Sequence, residues 1–318
     1  MKVLVTGGAG YIGSVVTHTL VDAGHEVEVV DDLSTGFEEN IPAGATLHKQ
    51  SIHDIAEILR PDAGFEAVLH FAGKIEVAES VARPDTFWHT NVVGTIALLS
   101  AVRAARTPKL IFSSTGSLYR ADPNGEPLTE QSVVDPANPY AATKLTVDLM
   151  LAGESAAFGL AAASLRYFNA AGAVGRLGER HDPESHLIPI MLQAAAGRRD
   201  EVYLYGDDYA TPDGTCIRDY IHVADLASAH LLALDAIEPG RHEVFNLGNG
   251  RGYSNQQVID VVEQVSGRKL PIRTVGRRPG DNMVSVASSA KAHRMLGWTP
   301  RRPDLADIIG DAWAFYQA

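Results

Sequence analysis

The sequence predicts an α/β fold: a doubly wound parallel sheet joined to a smaller, mixed α/β unit. Three observations carry this. Short β-rich runs alternate with longer helical patterns through the first half of the chain. Several of those runs are almost continuously apolar, as strands buried on both faces must be. The first run, Lys2-Val3-Leu4-Val5-Thr6, leads directly into a glycine-rich turn and then a helical pattern.

In chain order, strands are expected over residues 2–6, 26–30, 46–50, 67–71, 110–113 and 163–166, each flanked by turn formers. Helices are expected to start near Tyr11, Ile55, Thr86 and Pro139. This alternation implies right-handed crossovers and hence a Rossmann-type sheet with helices on both faces. After Phe168 the pattern becomes irregular and richer in Gly and Pro (Gly172, Gly175, Gly178, Pro183, Pro189). The first domain is therefore set at residues 1–168, and a substrate-holding domain at 169–318. A strand-like Val244-Phe245-Asn246-Leu247 is expected to return to the main sheet, within a segment at about 219–248.

Composition narrows the function. Lys plus Arg number 27 against 39 Asp plus Glu, a net charge of -12, which argues against nucleic acid or an anionic membrane as partner. A small anionic ligand stays compatible, because a local group of arginines can hold it. Cys216 is the single cysteine, so neither an internal disulfide nor a thiolate metal cluster can form, as suits a cytoplasmic protein. The 12 histidines show no H-E-x-x-H or related spacing, and no metal is expected. No signal-peptide pattern and no bilayer-spanning apolar run is found.

Gly7, Gly10 and Gly13 stand at a G-x-x-G-x-x-G spacing. Glycine serves there because the backbone must turn sharply and admit a pyrophosphate with no Cβ in the way. The following helix directs its free N–H groups and positive dipole end at the phosphates. A bare glycine triplet could be only a tight turn, but here a strand precedes it, a helix follows, and the second strand leads into Asp31. A carboxylate there accepts hydrogen bonds from the adenosine ribose hydroxyls and repels a 2′-phosphate, so the expected cofactor is NAD. Asp32 is the alternative ribose ligand.

This glycine spacing resembles that of the short-chain dehydrogenase/reductase superfamily, which directs attention to Tyr-x-x-x-Lys. It occurs at Tyr140-Ala141-Ala142-Thr143-Lys144, just after Pro139. Residues i and i+4 share a helix face, so phenol and ammonium can reach one ligand. A free phenol, with a pKa of about 10, is too weakly acidic to act as a base near neutrality. Lys144 and a positive nicotinamide ring would favour the phenolate, and a shift of about 3 units requires roughly 4 kcal/mol. Thr115, after the strand at 110–113, stands where the superfamily has its catalytic Ser or Thr.

Phe71-Ala72-Gly73, the run Leu165-Arg166-Tyr167-Phe168-Asn169, Gly197-Arg198-Arg199-Asp200, the stretch Gly214 to Val223 and Arg278-Pro279-Gly280-Asp281 are similar to the UDP-glucose 4-epimerases of the extended branch. The resemblance spans essentially the whole chain. It implies transient oxidation at the sugar C4, with NAD⁺ regenerated each turn and therefore retained. It assigns catalysis to Tyr140, Lys144 and Thr115. To the cofactor it assigns Gly7, Gly10, Tyr11, Ile12, Gly13, Asp31, Asp32, Ser34, Thr35, Gly36, Ser51, Ile52, Phe71, Ala72, Gly73, Ser113, Tyr167 and Phe168, besides Tyr140 and Lys144.

For the UDP-sugar, the resemblance implies Asn169 near the reacting ring, Leu187 and Tyr205 about the uracil, Tyr203 as a further substrate contact, Arg218 and Arg278 on the diphosphate, and Asp281 on the uridine ribose. His186 stands where relatives have a substrate-contacting Asn. Ser285 takes a pocket position that is Tyr in members restricted to glucose and galactose, which implies acceptance of N-acetylated sugars. Three positions depart from the pattern: Ser51 replaces an Asp, Ile75 stands where Lys is usual with Lys74 one step early, and Arg120 replaces a Gly.

Other readings are weaker. A 4,6-dehydratase needs an Asp-Glu pair after Thr115, and Gly116-Ser117 follow instead. A non-catalytic NAD sensor would have no use for the Tyr/Lys pair. Cys216 is expected to be a packing residue, and His222 and Asp225 to cap a helix start. Apolar residues around two helices (Val92, Val93, Ile96, Leu98, Leu99 and Val102; Leu145, Val147, Leu149, Met150 and Leu151) suggest a homodimer joined through a four-helix bundle.

Overall fold

The computed structural model describes residues 1–278 and 280–317. Pro279 of the Arg278–Asp281 motif and the terminal Ala318 lie outside the described residues. The elements run β1 (Lys2–Thr6), α1 (Tyr11–Asp22), β2 (Glu26–Asp31), β3 (Ala45–Lys49), β4 (Ala67–His70), α2 (Val77–Ala82), α3 (Pro84–Phe87), α4 (Gly94–Ala105), β5 (Lys109–Thr115), α5 (Pro139–Phe158) and β6 (Ala161–Tyr167). They continue as β7 (Asn169–Ala171), α6 (Leu187–Ala195), β8 (Val202–Tyr205), β9 (Ile217–His222), α7 (Val223–Ala236), β10 (His242–Leu247) and β11 (Gly252–Ser254). The last are α8 (Asn255–Ser266), β12 (Ile272–Val275), β13 (Val284–Ser285), α9 (Ala290–Leu296) and α10 (Leu305–Gln317).

Seven strands form one parallel sheet in the order β10-β6-β5-β4-β1-β2-β3. Alternation along a strand sends successive side chains to opposite faces. Val3 and Val5 accordingly join a core with Val15, Val16 and Leu20 of α1 and Leu226 of α7, while Leu4 joins Leu98, Leu99, Val147 and Leu151 of α4 and α5. The expected return of 244–247 is observed: β10 pairs with β6 from His242 to Leu247. Ala292, Leu296 and Trp298 also pack into the first of these cores, a return that the sequence did not suggest. A third core lies among α6, α8, α10 and the small sheets β11-β9-β13 (with β7 on β9) and β8-β12.

One helix expectation needs correction. No α-helix starts at Ile55; residues Ile52–Glu57 form a 3-10 helix, and Pro61 and Gly64 leave no room for more before β4. The helix expected near Thr86 is present: it begins at Pro84, after Arg83 leaves helical conformation, and passes through a π-helical segment, Trp88–Val93, into α4. Asp225 does not cap α7. His222 does, accepting from Ala224 N at 3.0 Å, while the Asp225 carboxylate holds the backbone N–H groups of Arg301 and Arg302 at 2.9 Å each.

Because the strands are parallel, Gly7, Asp31, Phe71, Thr115 and Tyr167 all fall at one edge of the sheet. The strand order reverses between β1 and β4, and a crevice at such a reversal is where α/β sheets take ligands.

Candidate active site

Thr6 passes the chain into Gly7, whose φ of +74° is open to glycine and strained for other residues. A Cβ on Gly7 would lie 2.5 Å from Ala72 N, and one on Gly13 would lie 2.1 Å from Gly7 O. The loop is thus pressed against both β4's exit and its own helix. Gly10 is the N-cap of α1 and no side chain caps it, so the first-turn N–H groups remain for an anion. Asp31 closes this loop from the side: its carboxylate accepts from Ala9 N and Leu33 N, both at 2.9 Å. It is almost buried, and burial raises its pKa, against the lowering by those two N–H groups. Asp32 is exposed and accepts from Ser34 N. These residues fit a dinucleotide: a cradle that a Cβ would fill, an open helix start and a carboxylate beside both.

Across the reversal, β5 and α5 bring the chemistry together. Asn138 caps α5 through Ala141 N, and Pro139 occupies its first turn, so the helix begins immediately before Tyr140. One turn on, Lys144 Nζ donates to Ser113 O at 2.9 Å and lies 4.9 Å from the Phe112 ring centroid and 5.9 Å from that of Tyr140. Thr115 ends β5, accepts from Ser117 N, and offers its hydroxyl toward Tyr140.

Burial pushes the Tyr140 phenol up to about 12; the Thr115 hydroxyl lowers it and Glu76 raises it further. Burial also pulls Lys144 down to about 8, opposed by Asp148. Desolvation is thus the largest influence on both groups, raising the phenol and lowering the ammonium.

Several residues that complete this site carry no local signal in the sequence. Asn91, in the π-helical segment, accepts from Lys74 N (2.7 Å) and donates to Lys74 O and Thr143 Oγ1 (both 3.0 Å), clamping the Gly73–Lys74 turn to α5. π-Helical turns are frequent at functional sites. His70 contacts Thr6 Oγ1 at 2.7 Å and Thr95 Oγ1 at 2.9 Å; burial holds its pKa down to about 3. His230 contacts Leu226 O through Nδ1, so its Nε2 accepts from Tyr167 OH at 2.5 Å; burial lowers its pKa to about 4.

The expected substrate residues lie in a chain leading away from the tyrosine. Phe168 packs against Gly116, and Asn169 Nδ2 donates to Asp219 O at 2.9 Å. Asn169 is the register partner of Tyr220 in β9, and Arg218, two residues earlier, is the partner of Ser285 in β13. Arg218 faces Asp281 at 3.7 Å, and the Arg278 guanidinium lies 3.8 Å over the Tyr205 ring. Tyr203 stands beside Tyr205 but is exposed. Buried Asp219 accepts from the N–H groups of Asn249, Gly250 and Ala287, fixing the loops on either side of β9; burial raises it to about 6.

Leu187 starts α6, with His186 as its N-cap residue. Glu179, His181 and His186 bring donor atoms within 4.8 Å of one another, a grouping able in principle to ligate a metal. Both imidazoles are already engaged by carboxylates, His181 by Glu179 and His186 by Glu184, and those bonds raise both pKa values against burial.

Comparison with known proteins adds an independent line. The profile of the NAD dependent epimerase/dehydratase family matches residues 3–248. A UDP-glucose 4-epimerase of Corynebacterium glutamicum is 49% identical over 318 residues, covering 100% of this chain and 96% of that protein. The crystal structure of the Brucella ovis UDP-glucose 4-epimerase in complex with NAD superposes with a TM-score of 0.93 at 43% identity, covering 99% of this chain and 98% of that one. The Bifidobacterium longum enzyme, solved with NAD⁺ and UDP, gives a TM-score of 0.92 at 34% identity, covering 100% and 98%.

Proposed function

This chain belongs to the NAD-dependent epimerase/dehydratase family, and we propose that within it the protein interconverts UDP-glucose and UDP-galactose by transient oxidation at C4. The observation that carries this is the juxtaposition of the open glycine cradle with Tyr140, Lys144 and Thr115 on one sheet edge. When bound, NAD⁺ supplies the hydride acceptor and donor, together with a positive charge near the phenol. Gly7, Gly10, Gly13 and Asp31 hold it. Tyr140 takes the proton of the sugar 4-hydroxyl and returns it, and Thr115 bridges the two oxygens. Lys144, fixed by the Ser113 carbonyl, orients the site and keeps a cation beside it.

Arg218 and Arg278 grip the diphosphate with planar donor forks, and Asp281 holds the uridine ribose. The sugar itself is held loosely, so that it can present either face. Ser285, at the Arg218 register position, is a small side chain beside a proposed diphosphate ligand, which supports a range that includes the N-acetylhexosamines. Purified protein incubated with UDP-galactose should form UDP-glucose without added coenzyme. A strict need for stoichiometric NADPH would overturn the reading.

The protein further acts as a cytoplasmic homodimer. Among the described residues no helix is long and apolar enough to cross a membrane, and Cys216 is a buried free thiol. Leu149 of α5, Val93 at the end of the π-helical segment and Ile96 of α4 are exposed, although Leu98, Leu99, Val102, Val147 and Leu151 of the same pattern turn inward. That narrower outward stripe supports pairing of the two helices with those of a second copy. Light scattering at micromolar protein tests it, and a monomer mass would contradict it.

A further inference from the structure

The segment 178–181 lines a cavity together with Gly10 and Tyr11, and Arg180 ties it to the chain after β2. Arg180 Nη1 donates to Glu39 Oε1 at 3.1 Å, and Nη2 donates to Asn40 Oδ1 at 2.9 Å. Its guanidinium lies 3.8 Å from the centroid of the Phe37 ring. All three partners belong to the stretch that follows Ser34-Thr35-Gly36. That stretch is anchored to the glycine loop: Asn40 Nδ2 donates to Ala9 O at 3.0 Å, and Phe37 N donates to the same carbonyl at 3.1 Å. A cavity beside this contact has Gly10, Tyr11, Thr35, Phe37 and Arg180 among its walls.

An exposed Arg–Glu pair alone contributes little to stability. This contact differs in two respects. Asn40 is buried, and the stacked, forked guanidinium exploits what Arg offers and Lys does not. Arg180 Nε is also buried and has no protein partner among the described residues, a donor left over on a side chain that walls the cavity. On the other flank, Tyr11 OH donates to Gly172 O at 2.6 Å, a second tie between the glycine-loop helix and the chain after β7.

We propose that Arg180 is a latch on the cofactor crevice: its two Nη groups and its stacked face hold the 178–181 segment down, its Nε–H serves the bound dinucleotide, and release of that dinucleotide requires the latch to open. This rests on the NAD reading given above. It explains how a coenzyme regenerated in every turnover is kept from leaving between turnovers.

The test uses the full chain. Wild type, Arg180→Ala, Arg180→Lys and Phe37→Leu are loaded with NADH, and its loss into excess NAD⁺ is followed by fluorescence. The latch predicts release at least roughly tenfold faster from Arg180→Ala, with smaller accelerations for Arg180→Lys and Phe37→Leu. Should Arg180→Ala fail to fold, the other two variants carry the same prediction. Release at the wild-type rate from the folded variants would overturn the latch while leaving the NAD reading intact. A wild type that binds no NAD(H) would overturn that reading, and the latch with it.

Discussion

The two halves of the site are built to different standards. On the cofactor side, Lys144 and Thr115 are buried, Lys144 is bonded to a strand carbonyl, and Asn91 locks the neighbouring turn to α5. On the side proposed to hold the nucleotide sugar, Arg278, Asp281 and Tyr203 are exposed, and the Arg218–Asp281 pair is long at 3.7 Å. A proton transfer needs reacting groups fixed within tenths of an ångström, and only packed elements provide that. A sugar that must present both faces needs the opposite, a firm hold on its nucleotide and slack around the ring. The division of labour follows from the fold: chemistry sits at sheet ends, whereas the binding residues sit on short strands and loops.

The largest break in that comparison is Tyr140→Phe. It removes the phenolic proton carrier without touching the loop, so turnover should fall by at least the roughly 10²–10⁴-fold typical of general acid–base groups, with bound NAD retained. Near-normal turnover would remove Tyr140 from the mechanism. Arg218→Ala should show the contrasting signature, raising KM by roughly 10- to 100-fold, as expected for one charge-assisted hydrogen bond of about 1.5–3 kcal/mol, with kcat little altered. An equal loss in kcat would mean that the two halves are not separable.

What the sequence revealed follows the same line. The glycine loop, Asp31 and the Tyr140/Lys144 pair are legible because each depends on local spacing: a turn that tolerates no Cβ, or two residues one helical turn apart. Asn91, His70, His230 and Asp219 were not legible, because each acts through a partner far along the chain or through backbone that only the fold brings near. Arg180 is the sharpest instance, since its partners lie about 140 positions away. The helix expected near Ile55 is absent for a different reason: Pro61 and Gly64 cut the segment short. Sequence places Lys144 one helical turn from the phenol but does not show the desolvation that acts on both groups.

Smaller effects sharpen the picture. Ser285→Tyr should selectively remove UDP-N-acetylgalactosamine turnover, the loss of one small group's space being worth about 1–3 kcal/mol, while UDP-galactose turnover continues. If wild type leaves the acetylated sugar untouched, Ser285 does not line the pocket. The smallest effect concerns the loop at 179–186. His181 and His186 have pKa values raised by their carboxylates, so their stabilisation is fully present below the unfolded value of about 6.5 and is lost as pH rises through the raised folded values. The melting-temperature difference between wild type and His186→Gln should therefore be larger at pH 6 than at pH 9. A difference independent of pH would show that the pair is not ionised.

The central claim is that C4 of the sugar is oxidised and reduced again within one closed site. UDP-galactose deuterated at C4 tests it directly, with the product examined by mass spectrometry and NMR. The account predicts UDP-glucose that keeps its deuterium at C4 and takes up none from deuterated solvent in the matching unlabelled experiment. Loss of the label to water, or entry of solvent deuterium at C4, would contradict it.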